Sequence, residues 1–364
     1  MTSGYKRLGD YIQLVDERNK SLEKLPLMGL SVSKVFFPTI ANLVGTDMST
    51  YKIVYRNQFT YIADTSRRGD KIAIALNEKF DKMLVSQAYT PFEVKDESKL
   101  HPEYLMMWFR RTEFDRYARF KSHGSAREIF DWQEMCDVML PIPSQEKQQQ
   151  LVNEYHTLQK RIDLNNQLIA KLEETAQTIY KQWFVEGIDL ENLPEGWRLG
   201  KLTDLIEVKY GKAYSHLEKG TIPLYGSGGL MGKVNKALYS KPSVLIPRKG
   251  TLSNIMFVNE PFWCVDTMFY SIFNDDVNGY YSFYILKQLD FNALDQGSAV
   301  PSMTSAFLNS IDVVLPTKDS LTKFNNSLKK IVKHKEIIEK ENLKLNELKE
   351  LLLGEMAKGE LKKI

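Results

Sequence analysis

Hydrophobic positions recur at alternating steps of four and three through the middle of the chain, from Leu151 to Trp183. One seven-residue series is Leu151, Leu158, Asn165, Leu172 and Ile179; the other is Tyr155, Ile162, Ile169, Ala176 and Trp183. Interleaved in this way they form the a/d seam of an α-helix that buries a narrow stripe against another helix. The flanking positions are Gln, Lys, Glu, Asn and Thr, so this helix has little else to bury and needs a helical partner. The C-terminal segment offers one, because Phe324, Ile331, Ile338, Leu345 and Leu352 again repeat at seven. Its companion series, Leu328, Lys335, Asn342, Lys349 and Met356, is half polar and makes the weaker seam. Two long helices separated by a globular-sized stretch predict a pair that holds two domains apart.

The pattern before the first helix is different. Short apolar runs, Lys71-Ile-Ala-Ile-Ala-Leu76 and Met83-Leu-Val-Ser-Gln-Ala-Tyr89, predict strands, while Tyr104, Leu105, Trp108, Phe109 and Arg111 to Arg119 space a helix over 101–120. Leu140-Pro-Ile-Pro143 closes this domain, since its two prolines continue neither a ladder nor a helix interior. Ser144 is a plausible N-cap, with Lys147 where a capping box would place Glu. Gly187 stops the first long helix, 189–194 is a polar connection, and a second domain opens at Trp197. The reading is α/β: domains at 1–143 and 189–316, each followed by a long helix, at 144–188 and 317–364.

The two halves share landmarks. Arg7-Leu8-Gly9 returns as Arg198-Leu199-Gly200, Gly124-Ser125-Ala126 as Gly297-Ser298-Ala299, and Leu140-Pro141 as Leu315-Pro316, each of the last two leading into a long helix. No single tripeptide carries weight, but four landmarks in one order predict an internal pseudo-two-fold repeat. A duplicated scaffold with divergent contents implies one mechanical task performed on two targets.

Composition narrows the class. A length of 364 residues allows about two domains, and 43% hydrophobic with 26% charged residues is a globular balance. A net charge of +3 permits nucleic-acid binding through local patches without arguing for it. Cys136 and Cys264 form no CxxC, which supports neither a disulfide framework nor a zinc knuckle. The five histidines, His101, His123, His156, His216 and His334, are scattered, so a metal site is not expected. No leader pattern and no long apolar run stand out, and the expected location is the cytoplasm, away from membranes.

The run Leu140-Pro-Ile-Pro-Ser-Gln-Glu-Lys-Gln-Gln-Gln-Leu151, the helix after it and Leu193-Pro-Glu-Gly-Trp197 resemble the specificity (S) subunits of type I restriction-modification systems. The resemblance spans nearly the whole chain. It implies two target-recognition domains, each reading one half of a split, asymmetric double-stranded DNA site, separated by an antiparallel coiled-coil pair that sets the spacing. It further implies docking of two methyltransferase subunits and assembly with restriction (translocase and nuclease) subunits. S-adenosylmethionine, ATP and magnesium would sit on those partners, with no cofactor on this chain and no catalysis by it. Lys147 and Gln148 stand where the family often places a Gln-Arg or Gln-Ile pair. A helix of about 33 residues would span roughly 50 Å, or about one and a half turns of duplex. Asn165 would fix register if it meets Asn342, so replacing Asn165 by Ile should raise thermal stability while loosening the spacing.

Candidate DNA contacts follow residue chemistry. In the first domain Arg119-Phe-Lys-Ser-His-Gly-Ser-Ala-Arg127 is a basic helix end running into a small-residue turn, which nominates Lys121, His123, Ser125 and Arg127. A helix C-terminus that favours cations and ends in Gly explains the same residues. Arg67 and Arg68, before Gly69, are a second candidate or a solvated turn. In the second domain Tyr225-Gly-Ser-Gly-Gly-Leu-Met-Gly-Lys233 misses phosphate-loop spacing by one residue and has Val234 where Ser or Thr is required. It is read instead as a turn in which Ser227 and Lys233 could touch DNA. Ile246-Pro-Arg-Lys-Gly-Thr-Leu-Ser-Asn254 adds Arg248, Lys249, Ser253 and Asn254, side chains suited to guanine, phosphate and adenine. Ser298 is the counterpart of Ser125, and Gln182-Trp-Phe184 is a candidate docking face. The rival reading is a metal-dependent nuclease or a fragment of a fused restriction enzyme using Asp81, Glu93 and Lys95.

Overall fold

The structure is a computed structural model and describes residues 4–39, 45–65, 69, 71–124, 128–289 and 303–358. The chain forms two compact units, one of Met1–Asn166 with Lys340–Ile364 and the other of Gln167–Glu339. The boundaries fall inside the long helices rather than at their ends. Each unit is a head together with part of both helices.

In the first unit the two ends of the head meet. Tyr5–Arg7 pairs antiparallel with Met139–Pro141, Lys6 lying opposite Leu140. A 3-10 turn, Leu8–Asp10, turns the chain into a four-stranded antiparallel sheet ordered Ile12–Leu14, Thr90–Val94, Phe59–Tyr61, Ile74–Leu76. The expected strands are present but shorter than their apolar runs, ending as Ile74–Leu76 and Lys82–Val85. Helix α1, Pro102–Arg110, buries Tyr104 to Phe109 without interruption, and His101 caps its start by accepting from the Glu103 amide at 3.2 Å.

The single helix expected over 101–120 is two helices. Arg111 is extended, at φ −68 and ψ 140, and α2 follows as Thr112–Phe120. The break has a distant cause. Lys34, held at φ +64 in the turn between Met28–Leu30 and Phe36–Pro38, is buried, and its ammonium donates to the Phe109 carbonyl that the break leaves free. It also pairs at 2.9 Å with buried Asp115 in the first turn of α2. Asp115 in turn accepts from the Ile72 amide at 3.2 Å. Burial depresses the Lys34 pKa, with Asp115 opposing the shift. Helix α3, Trp132–Cys136, is capped by Asp131 and leads through the Met139–Pro141 strand into α4, Gln145–Phe184. Ser144 does cap α4, its hydroxyl accepting from the Lys147 amide at 3.4 Å. Gln148 is fully buried and accepts from the His101 amide at 2.8 Å, locking the helix start to the head.

The second unit repeats this frame. Arg198–Lys201 pairs antiparallel with Asp312–Leu315, and the 3-10 turn Leu202–Asp204 leads into a sheet ordered Ile206–Tyr210, Met268–Phe273, Ser243–Pro247, Met256–Val258. Helix α5, Gly279–Lys287, takes the place of α1, and the short α6, Ser305–Ser310, that of α3. Even a hydrogen bond is kept. The Tyr104 hydroxyl donates to the Pro141 carbonyl at 2.9 Å, and the Tyr281 hydroxyl to the Val314 carbonyl at 2.6 Å. Helix α7, Lys318–Glu355, follows as α4 does in the first half.

Helices α4 and α7 pack antiparallel, and the polar positions of the α7 seam have partners. In the first unit Asn165 is buried and its Nδ2 donates to Asn342 Oδ1 at 2.9 Å, while Asn342 Nδ2 donates to Asn166 Oδ1 at 2.9 Å. Lys349 donates to Gln159, and Arg161 pairs with Glu341 at 2.9 Å. In the second unit Lys335 meets Glu173 at 2.5 Å. The half-polar series is therefore a set of cross-helix hydrogen bonds. Leu151, Tyr155 and Ile162 are buried, and Leu158, Ile169, Leu172, Ile179, Ile331, Leu345 and Leu352 are half-buried, with Ile338 buried. The heptad reading slips at the end of α4. Trp183 is 38% exposed, while Tyr180 and Phe184 are buried against Phe324 and Tyr281. A straight helix drifts about 20° per heptad, which carries Trp183 off the seam. Phe184 is thus core, and Gln182-Trp-Phe184 is not a continuous docking face.

Candidate nucleic-acid interface

In the first unit two candidate loops share a base. The Thr65 amide donates to the Glu128 carbonyl at 3.0 Å, its hydroxyl donates to Ser122 Oγ at 2.8 Å, and His123 and Ile129 exchange backbone hydrogen bonds at 3.1 and 2.9 Å. Gly124, at φ +136, lets the chain reverse there. This brings Thr65 beside Ser122 and Glu128 at the end of α2. Arg67, Arg68, Ser125 and Arg127 lie outside the described residues. Lys121 and His123 are described, and both lean on Glu134, at 3.3 and 3.5 Å. Arg119 pairs with Glu128. The Glu134 carboxylate holds the Lys121 pKa above the ordinary lysine value. Phe120, which the residue-type argument passed over, is 80% exposed at the tip of this basic segment. An aromatic between two cations was the available signal, because every base offers a face to stack on.

In the second unit the hairpin turn at 226–229 and the loop 248–254 are fastened together. Asn254 Nδ2 donates to the Ser227 carbonyl at 2.9 Å, so one of its amide hydrogens is committed to the fold. Gly250, at φ +83, lies so close that a Cβ there would stand 2.7 Å from Ser227 Oγ. Lys249 and Ser253 are exposed at this junction, and Lys233 is exposed further along the hairpin, opposite Pro223. Arg248 is half-buried. Its guanidinium carbon lies 4.8 Å from the Tyr210 ring centre and 5.3 Å from that of Phe269, and Nη1 donates to the Asp266 carbonyl at 2.7 Å. Next to Tyr210, Gly211 is required: a Cβ would fall 2.1 Å from the Val265 carbonyl oxygen. The Met303 amide donates to the Arg248 carbonyl at 2.8 Å. Ser298 lies outside the described residues.

Asp81, Glu93 and Lys95 do not assemble. The Asp81 side chain is 94% exposed and pairs with Arg56, Glu93 accepts from the Gln13 and Gln58 amides, and Lys95 donates to the Gly9 carbonyl. Among the described residues no group of three or more His, Cys, Asp and Glu could hold a metal ion, which leaves the nuclease alternative unsupported.

On the helix pair of the first unit, Leu158 and Leu352 with exposed Leu348 and Leu351 line an open groove of about 890 Å³, rimmed by Glu146, Gln150 and Glu154. Among the described residues no helix is long and apolar enough to cross a membrane.

The family model for the type I restriction modification DNA specificity domain matches this chain twice, over residues 39–174 and 194–349. Each match takes in much of a head and most of the helix that follows it. The chain belongs to the type I restriction-modification specificity subunits. It is similar to the specificity subunit of the type I restriction enzyme MjaIX from Methanocaldococcus jannaschii, with 20% identity over 300 residues, covering 71% of this chain and 69% of that one. It is also similar to the HindI specificity subunit from Haemophilus influenzae, with 26% identity over 122 residues, covering 33% and 26%. The crystal structure of an S subunit from M. genitalium shares the fold at a TM-score of 0.57, with 15% identity and coverage of 98% and 97%. A chain from a structural study of complex assembly in the type I system aligns at 0.51, with 17% identity and 99% of both chains covered. As a specificity subunit the chain is the DNA-recognition component of its system rather than the catalytic one.

Proposed function

We propose that each unit of this specificity subunit reads one half of a split, asymmetric DNA site, and that the α4–α7 pair sets the spacing between the halves. The observation that carries this reading is the duplicated frame. The same strand pair, 3-10 turn and tyrosine hydrogen bond recur in both heads. The candidate reading segments at 65–71 and 121–129 in one and at 226–229 and 248–254 in the other differ in sequence. A constant frame with different reading loops suits a protein that performs one operation on two sequences. The nominated contacts are Arg67, Arg68, Lys121, His123, Ser125 and Arg127 on the first head. On the second they are Ser227, Lys233, Arg248, Lys249, Ser253, Asn254 and Ser298. Phosphate contacts would dominate affinity and make binding salt-sensitive, while base contacts divide between the heads.

The subunit works in the cytoplasm, docks two methyltransferase subunits that carry S-adenosylmethionine, and joins restriction subunits that use ATP and magnesium. The leucine-lined groove on α4 and α7 supports docking of an apolar partner helix there, since exposed apolar grooves rimmed by polar residues mark interaction sites. Mapping adenine methylation across the genome with the gene intact and deleted tests the reading. A single split motif with an unread spacer should disappear on deletion. An unchanged map, with the partner genes expressed, would refute it.

A further inference from the structure

We propose that Arg248 reads a guanine in the half-site recognised by the second unit, and that Tyr210 is the residue that positions it. The inference rests on the function proposed above and narrows it to one base and one side chain.

The environment of Arg248 differs from that of several arginines of the chain. Arg119, Arg161 and Arg198 each pair with a carboxylate. Arg248 has no ion pair among the described residues. Its charge is met by the faces of Tyr210 and Phe269 and by one carbonyl, and its Nε is buried with no partner among the described residues. A half-buried cation in that state is incompletely satisfied, and with Nε closed off it is the terminal N–H groups that an outside acceptor can reach. The Asp266 bond uses a single hydrogen and leaves most of the terminal N–H bonds uncommitted, enough for the paired donors that match guanine O6 and N7.

The same surroundings remove the side chain's freedom in advance. Tyr210 packs edge-on against Phe269 at 4.9 Å, and its hydroxyl lies 2.9 Å from Ser305 Oγ. Gly211 brings this end of the strand onto the backbone at 264–265. A guanidinium held by rings and a carbonyl loses little rotamer entropy on binding, as an orienting contact requires. Phosphate offers acceptors too, but exposed Lys212, Lys233 and Lys249 are available for that role at the surface. A half-buried planar donor suits a base edge that projects towards it.

The test uses the complete methyltransferase complex. Methylated motifs are mapped in cells carrying the wild-type chain, Arg248→Lys, Tyr210→Phe or Tyr210→Ala, and binding is measured on cognate duplexes with 7-deazaguanine at each guanine in turn. Arg248→Lys keeps the charge but loses the fork, so one G·C position in one half-site should become degenerate, with cognate binding down about tenfold to a hundredfold. The other half-site stays unchanged. Tyr210→Phe keeps the motif, and Tyr210→Ala relaxes the same position as Arg248→Lys but more mildly. In the wild-type complex one 7-deazaguanine should weaken binding by a comparable factor, and that sensitivity should vanish in Arg248→Lys. The deaza arm needs no altered protein, so it stands even where a variant assembles poorly. Uniform loss across all sequences, with the salt slope reduced by about one, would make Arg248 a phosphate contact and overturn the inference. So would a second half-site with no sensitive guanine. A wild-type complex that methylates no split motif overturns the proposed function as well, whereas a normal wild-type motif untouched by Arg248→Lys overturns this inference alone.

Discussion

At the end of α2, Lys121 and His123 both turn onto Glu134, whereas Arg248 in the second unit lies against Tyr210 and Phe269 with no carboxylate beside it among the described residues. The frames that carry these groups are alike: a strand pair, a 3-10 turn and a buried tyrosine donating to the chain before the long helix. Similar scaffolds therefore present cations in opposite states. One set already leans on an internal carboxylate and must exchange it for DNA; the other has no ion pair among the described residues. Position in a repeat does not fix the role of a charge. Its neighbours do.

The largest expected effect lies where the heads differ in their cores. Lys34→Met strips Asp115 of its cation and should destabilise the first unit by about 3–5 kcal/mol in chemical denaturation, with the second unit unaffected. Lys34→Met with Asp115→Asn, which keeps the acceptor for the Ile72 amide, should recover more than half. The pair also gives a pH signature. Between the depressed folded value and the ordinary 10.5, the unfolded chain binds a proton that the folded chain does not, so stability from this site is lost as pH falls through that window and regained as pH rises. Lys34→Met should abolish the slope. A medium effect tests the likeness of the frames: Tyr104→Phe removes the donor to a buried carbonyl and Tyr281→Phe the donor to a part-buried one, and each should cost about 1–3 kcal/mol. Costs differing more than threefold would mean that the frames are alike in shape but not in energy. The smallest effect sharpens the contrast of the faces. Glu134→Gln frees Lys121 and His123, and should strengthen low-salt DNA binding severalfold while steepening its salt dependence, as measured by fluorescence anisotropy across a salt series. No change would mean that Lys121 and His123 only cap the end of α2.

Periodicity and landmarks made the helix pair and the repeat legible, because both depend on residues close in sequence. The landmarks lie near the two strand pairs but out of register: Leu8 opens one 3-10 turn and donates to the Val138 carbonyl as Leu202 opens the other and donates to the Ile311 carbonyl, so the counterpart of Arg7-Leu8 is Lys201-Leu202 rather than Arg198-Leu199. The break at Arg111 was not legible. Residues 101–120 keep one helical spacing throughout, and the break is stabilised by Lys34, far away in sequence. Asn165 and Asn342 could be matched from the heptads, but the second bond from Asn342 to Asn166 could not. For that reason Asn165→Ile alone would leave the Asn342 oxygen without its donor, and a net gain in stability requires replacing Asn342 as well. Among the reading residues, Arg248 was visible as an Arg on a turn after an apolar strand. The rings that hold it come from Tyr210 and Phe269, on other strands, and only the folded sheet brings them together.

The second unit is one unbroken segment, while the first is interrupted by it and closed from the far end of the chain. Leu353 and Met356 pack with Leu151, Val152 and Tyr155, and the Tyr5 hydroxyl donates to the Ala357 carbonyl at 2.6 Å. During synthesis the head made first is thus the one sealed last. At about 5–20 residues per second, the ribosome takes on the order of ten seconds or more to deliver the strip that completes it. A shortened α7 would accordingly loosen the opposite end of the gene product, leaving the nearer head with its own apolar centre intact.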